Sequence, residues 1–127
     1  FRVNPKEYKE YQTKLGWLVK PFKPQAQIEG AVEVSILCVF KMPPNWTPEK
    51  KFEKAYQVKS VPIDGDNLIK AVMDSLEKAG WYKNDGQVGM GGWVSVWGHT
   101  DILKITITPR QGYSYPGIAE LEAHFME

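Results

Sequence analysis

Two aspartates one position apart, Asp64 and Asp66, stand where a turn passes into a helix in the segment PIDGDNLIKAVMDSL. Carboxylate oxygens are ligands that Mg²⁺ prefers, and in an extended segment both side chains can point to the same side. Capping is the simpler interpretation, because the helix dipole favours negative charge at the first turn. A cap accounts for one aspartate but not for two, so both interpretations of the pair stand.

Two further charged residues could take part in the same chemistry. Lys70 follows Asp66 by four residues. On a helix, Lys70 can form a surface ion pair with Asp66 worth about 0.3–0.5 kcal/mol. Alternatively, its ammonium group can stabilise the charge on a phosphate during phosphodiester cleavage. Asp85 lies beyond the helix, in the turn WYKNDG. Because a helix of about 13 residues is about 20 Å long, Asp85 meets Asp64 only if the turn or the following strand folds back along the helix.

These residues must be positioned by an alternation of helices and strands. Apolar periodicity, caps and glycine or proline stops predict helices at 5–20, from Thr47 to about Tyr56, from Leu68 to Gly80 and at 117–126. Strands are predicted at 30–40, 87–98 and 101–109, with a glycine-dependent bulge or bend in the second. A tight hairpin at Gly98-His99-Thr100 would join the last two strands. The order predicts an α+β fold in which helices pack on a small mixed sheet.

Composition excludes some classes of protein but does not identify the function. A chain of 127 residues, 43% of them hydrophobic, predicts a single domain over residues 1–127. No apolar run approaches the roughly 20 residues needed to cross a bilayer, so no membrane partner is expected. The lone Cys38 lies in an apolar run and predicts a buried thiol and a cytoplasmic location. A net charge of +1 neither supports nor excludes a polyanionic partner.

The segment from Asp64 to Val88 resembles the core signature of the RusA family of Holliday junction resolvases. The residues that carry the resemblance are Asp64-Gly65-Asp66-Asn67-Leu68-Ile69-Lys70-Ala71, then Asp74-Ser75-Leu76, then Lys78-Ala79-Gly80, and then Asn84-Asp85-Gly86-Gln87-Val88. Several polar identities stand at fixed offsets without a gap, which makes the match specific.

The resemblance implies a small homodimeric, Mg²⁺-dependent endonuclease, with Mn²⁺ able to substitute, that cuts four-way DNA junctions in recombination and repair. Such proteins are frequent in prophages, so it also implies a bacterial or phage source. By position, the metal-binding carboxylates would be Asp64, Asp66 and Asp85, the catalytic lysine Lys70, and the motif supports Asn67 and Gln87. Asp74 would either support the site or remain a solvated residue of the polar helix face.

Three departures from the family pattern bear on DNA affinity or on the site. The family pattern usually has two consecutive aspartates where this chain has Asn84 and Asp85. In the seven residues before Asp64, only Lys59 carries a positive charge, whereas relatives can have a cluster of basic residues there. The strand that commonly begins these proteins is absent before Phe1, so we expect an N-terminal strand to be missing. With few basic residues, DNA binding would be weak. The alternative function is therefore a catalytically weak, structure-selective DNA-binding protein of the same fold.

The five tryptophans allow two interpretations, stacking on unpaired bases or packing in the core and a dimer interface, of which packing is favoured. They are Trp17, Trp46, Trp81, Trp93 and Trp97. A third function, a dimeric domain that uses the acidic loop for a structural cation, also stands as an alternative.

Overall fold

The computed structural model describes residues 14–59 and 65–126, and in the second range it describes side chains from residue 69 onward. The helices are α1 (14–19), α2 (Pro48–Lys54), α3 (Gly65–Ala79) and α4 (Ile118–Phe125), and the strands are β1 (Val32–Lys41), β2 (Val88–Gly98) and β3 (Ile102–Pro109). Short 3-10 turns lie at Lys20–Phe22 and Asp85–Gln87. The predicted order of elements is confirmed over these residues, and the predicted helical residues 5–13 lie outside them. No helix in the described ranges is long and apolar enough to cross a membrane.

The three strands form one mixed sheet in the order β2-β1-β3, with β1 parallel to β2 and antiparallel to β3. The mixed sheet is thus confirmed, but the predicted hairpin is wrong, because β2 and β3 pair with opposite edges of β1. The short link 99–101 crosses the end of β1, where the carboxylate of Asp101 accepts a hydrogen bond from the backbone N–H of Lys41 at 2.8 Å. Gly98 permits this crossing, since a Cβ there would lie 2.3 Å from Cγ1 of Val39.

The core lies between one face of the sheet and α3. Alternate side chains of β1 are buried, and the predicted apolar stripe of α3 is confirmed by Ala71, Val72 and Leu76, which are at most 1% exposed. Cys38 is buried in the same core, as predicted. Because β1 is strongly apolar, the central position suits it: there both its edges are hydrogen-bonded and one face is covered.

The ends of α2 and α3 follow the predicted signals. The hydroxyl of Thr47 accepts a hydrogen bond from the N–H of Lys50 at 3.2 Å and caps α2. Gly80 ends α3 in a left-handed conformation with φ +88°, and the N–H of Trp81 bonds back to the carbonyl of Leu76 at 3.0 Å. This glycine-dependent stop reverses the chain direction, which matters for the site described next.

The predicted irregularity in β2 is also present. The pairing of β1 with β2 shifts register by one residue near its start. Val32 pairs with Val88 but Glu33 pairs with Met90, so Gly89 has no partner on β1. A glycine at the extra position of a bulge is a common device for bending a strand.

Candidate functional site

The turn after α3 folds back onto that helix. Tyr82 is fully buried, and its hydroxyl donates a hydrogen bond to the backbone carbonyl of Met73 at 2.8 Å. Met73 lies nearly two turns before the end of α3, so the phenol fixes the returning chain along the helix rather than beyond it. Asp85, three residues later, is thereby brought alongside the middle of α3. The fold-back that the sequence required of Asp85 is therefore present.

Gln87 holds the turn that carries Asp85. Its Oε1 accepts hydrogen bonds from the N–H groups of Lys83 at 2.7 Å and Asn84 at 3.2 Å. Its Nε2 donates to the carbonyls of Ile28 at 2.9 Å and Gly30 at 3.0 Å. The side chain thus ties the 3-10 turn to the segment that enters β1.

Asn84 completes the local hydrogen bonding of this turn. Its side-chain oxygen accepts a hydrogen bond from the N–H of Gly86 at 2.9 Å, and with Gln87 it forms a capping box. Asn84 stands where the family pattern has an aspartate, and an amide oxygen caps the turn in the same way as a carboxylate.

Three carboxylates meet where the turn touches α3. Asp74, Glu77 and Asp85 each offer an oxygen, and these oxygens lie within 4.8 Å of one another. Burial raises the pKa of Asp85 above the usual aspartate range, and the charges of Glu77 and Asp74 and side-chain hydrogen bonds with both raise it further. The pKa of the Tyr82 hydroxyl is raised by its burial and by the same carboxylates. A cation between these groups would relieve their mutual repulsion.

One oxygen of this cluster has no hydrogen-bond donor among the described residues. Oδ1 of Asp85 is buried and has no hydrogen-bond partner among the described residues. A buried carboxylate oxygen without a hydrogen-bond donor is energetically costly, and binding to a hard divalent cation would remove this cost. The donor set of carboxylates therefore fits Mg²⁺ or Mn²⁺.

Lys70 and Asp85 share one open pocket, whose other lining residues are Ile69 and Met73. Lys70 is exposed and lies one helical turn before Asp74. Two of the residues that the sequence selected, one from the helix and one from the turn, are thus brought together by the fold.

The rest of the predicted set is only partly described. Asp64 and the side chains of Asp66 and Asn67 lie outside the described residues. The backbone of α3 places residue 66 one turn before Lys70, about 6 Å away along the helix axis. Glu77 was not selected from the sequence, although its position three residues after Asp74 places both on one helix face and could have indicated it.

Lys59 lies apart from the pocket, among aromatic rings near the ends of β1 and β2. Its Nζ is 4.4 Å from the ring centroid of Phe40 and 4.6 Å from that of Trp97. Trp97 in turn contacts Trp46 edge to face, with centroids 4.9 Å apart. These two tryptophans are half-buried and engaged within the chain, whereas Trp17 is 74% exposed.

Clustered carboxylates and a lysine at an open pocket are typical of enzymes that hydrolyse phosphate esters with the help of a metal ion. The α+β fold positions this set through one helix and one returning turn.

The comparisons with known proteins specify the class further. The family model described as endodeoxyribonuclease RusA matches residues 2–108. A comparison with curated proteins gave no match. Because the matched part is most of the chain, the protein belongs to the RusA endodeoxyribonuclease family, and the resemblance inferred from the sequence is confirmed.

Proposed function

We propose that the protein is a Mg²⁺-dependent, homodimeric endonuclease that resolves four-way (Holliday) DNA junctions by hydrolysing phosphodiester bonds in recombination and repair. The observation that carries this proposal is the pocket shared by Lys70 and Asp85, an aspartate whose Oδ1 is buried without a hydrogen-bond donor among the described residues. It occurs in a chain of a DNA-cutting family.

The proposed metal ligands are Asp64, Asp66 and Asp85, and Mn²⁺ should be able to replace Mg²⁺. When bound, the ion supplies Lewis acidity at the scissile phosphate. Asp74 and Glu77 lie beside Asp85 and add negative charge that favours a cation at this place. Gln87 supports the site by holding the turn of Asp85, and Asn67 is proposed as a second motif support.

Lys70 is proposed to stabilise negative charge on the phosphate. Its side chain lines the pocket beside Asp85, and the apolar Ile69 and Met73 flank it. Because the pocket is open and Lys70 is exposed, the ammonium group is accessible to a phosphate of the substrate.

The proposed substrate is branched DNA, and Lys59 is a proposed, weak phosphate contact. Its ammonium group is held over two rings, which orders the side chain near the surface. A two-fold dimer matches a four-way junction, since two symmetry-related strands must be cut.

The test compares cleavage of a labelled four-way junction with cleavage of a linear duplex of the same sequence, with and without Mg²⁺. The parent chain should cut the junction, require the ion and leave the duplex largely intact. The variants Asp64→Asn, Asp66→Asn, Asp85→Asn and Lys70→Met should each lower the rate by about a hundredfold or more. Binding of the uncut junction should survive these changes.

Glu120→Gln is the matched control, because this exposed carboxylate of α4 neither lines the pocket nor belongs to the carboxylate cluster. Full activity of the Asp85→Asn variant would disprove the assignment of the site. Junction binding without cleavage by the parent chain would favour the DNA-binding alternative. Equal cutting of duplex and junction would leave a general nuclease, and Mg²⁺ binding without DNA binding would favour a structural cation.

A further inference from the structure

Helix α4 has an apolar side that stays exposed among the described residues. α4 lies beyond the matched family region, and every residue from 111 to 126 is exposed. Ile118, Leu121 and Phe125 are 41%, 52% and 78% exposed and recur at intervals of three and four residues, which places them in one stripe. An eight-residue helix is marginal in water by itself, so a surface that packs against this stripe would stabilise it.

The sheet offers a second apolar surface that no described segment covers. Alternation along the strands places Leu37, Val39, Val94, Val96 and Ile102 on the face opposite α3. Val94 and Ile102 are each 48% exposed, and the other three are half-buried. Among the described residues, no helix makes extensive contact with this face. We call these five residues the open-face patch.

The two surfaces carry opposite charges. Lys104 pairs with Leu37 across β1 and β3 and therefore lies beside the open-face patch. Exposed Lys41, at the end of β1, lies on the same face of the sheet. On α4, Glu122 lies beside the apolar stripe at about 100° per residue, whereas Glu120 lies on the opposite side. The acidic edge of the apolar stripe is therefore complementary in charge to the basic edge of the patch.

We propose that α4 of one copy packs on the open-face patch of a second copy, and that the exchange is reciprocal. The contact would be isologous and closed, so it would stop at a dimer. This inference rests on the homodimer of the proposed function and adds which surfaces join.

The loop before α4 favours a second copy over the same chain as the source of the open-face patch that α4 contacts. Arg110 forms an ion pair with Glu33, and its guanidinium lies 4.6 Å from the ring of Tyr113. These contacts hold the start of the loop at the end of the sheet where Pro109 pairs with Val32. Ile102 and its partner Val39 lie at the other end of the same pair of strands. α4 follows this anchored loop, and its stripe is exposed among the described residues.

The test measures the mass of the full chain in solution by light scattering, without DNA or added metal, so that its outcome is separate from nuclease activity. The parent chain should have about twice its 14.5 kDa mass. Leu121→Asp and Val94→Asp should each raise the dissociation constant at least about tenfold, whereas Glu120→Gln should not. Both substituted positions are exposed, and circular dichroism melts would establish that the variants fold.

Mixing distinguishes exchange between copies from packing within one chain. The Leu121→Asp chain keeps an intact patch and the Val94→Asp chain keeps an intact helix, so the two should form a heterodimer when mixed. A charge reversal, Glu122→Lys with Lys104→Glu, should restore association that either change alone weakens. A monomeric parent chain, a dimer that survives Leu121→Asp, or a mixture that stays monomeric would each overturn the proposal.

Discussion

Gln87 offers a direct test of how the site is held. The perturbation is a pair of substitutions, Gln87→Ala, which removes the side-chain amide, and Gln87→Glu, which keeps one acceptor oxygen but loses the amide donor. In the parent chain the amide makes four hydrogen bonds, two accepted from backbone N–H groups and two donated to the carbonyls of Ile28 and Gly30.

The magnitude follows from these contacts. A hydrogen bond contributes about 0.5–1.5 kcal/mol net, and partners that remain exposed recover part of this from water. Because most of the four bonds are at exposed positions, Gln87→Ala should lower the free energy of unfolding by about 2 kcal/mol. Gln87→Glu should cost at least as much, because an anionic oxygen would face the two carbonyls. Both changes should also weaken Mg²⁺ binding, since they loosen the turn of Asp85.

The assay is urea unfolding followed by tryptophan fluorescence, with and without Mg²⁺. Gln57→Ala is the control, because its amide donates one exposed hydrogen bond, to the carbonyl of Glu53. A stability of Gln87→Ala equal to that of the control, or of Gln87→Glu equal to that of the parent chain, would refute the reasoning.

Three other substitutions test the remaining features. The pKa of Asp85 is raised in the folded chain, so the parent loses stability as the pH rises above the ordinary value of 3.8. Metal-free Asp85→Asn should therefore be more stable than the parent at neutral pH and lose this advantage in acid, as measured by urea unfolding across pH. Gly98→Ala should cost about 1–3 kcal/mol in the same assay, because Val39 must move. Tyr82→Phe should cost about 1 kcal/mol, because the carbonyl of Met73 loses the phenol donor, and an unchanged melting temperature would contradict this.

Local sequence patterns predicted the elements well because they act over a few residues. The proline after Thr47, the stripe of α3 and the glycine at its end each have a local physical cause, and each is present in the structure. The strand order could not be predicted in this way. A short link between β2 and β3 favours a hairpin, but β1 occupies the centre of the sheet. Its apolar side chains would be the least buried if β1 were an edge strand.

For the site, residue types made Asp85 and Lys70 candidates for metal and phosphate chemistry, and the resemblance to the family pattern gave them their expected roles. Only the tertiary structure decided that these two share a pocket, since their proximity depends on Tyr82 and Gln87 fixing the turn along α3. The neighbourhood of Glu77 and the raised pKa of Asp85 arise from the same packing. The sequence thus determined which groups could do the chemistry, and long-range packing, which no local pattern encodes, determined which of them meet.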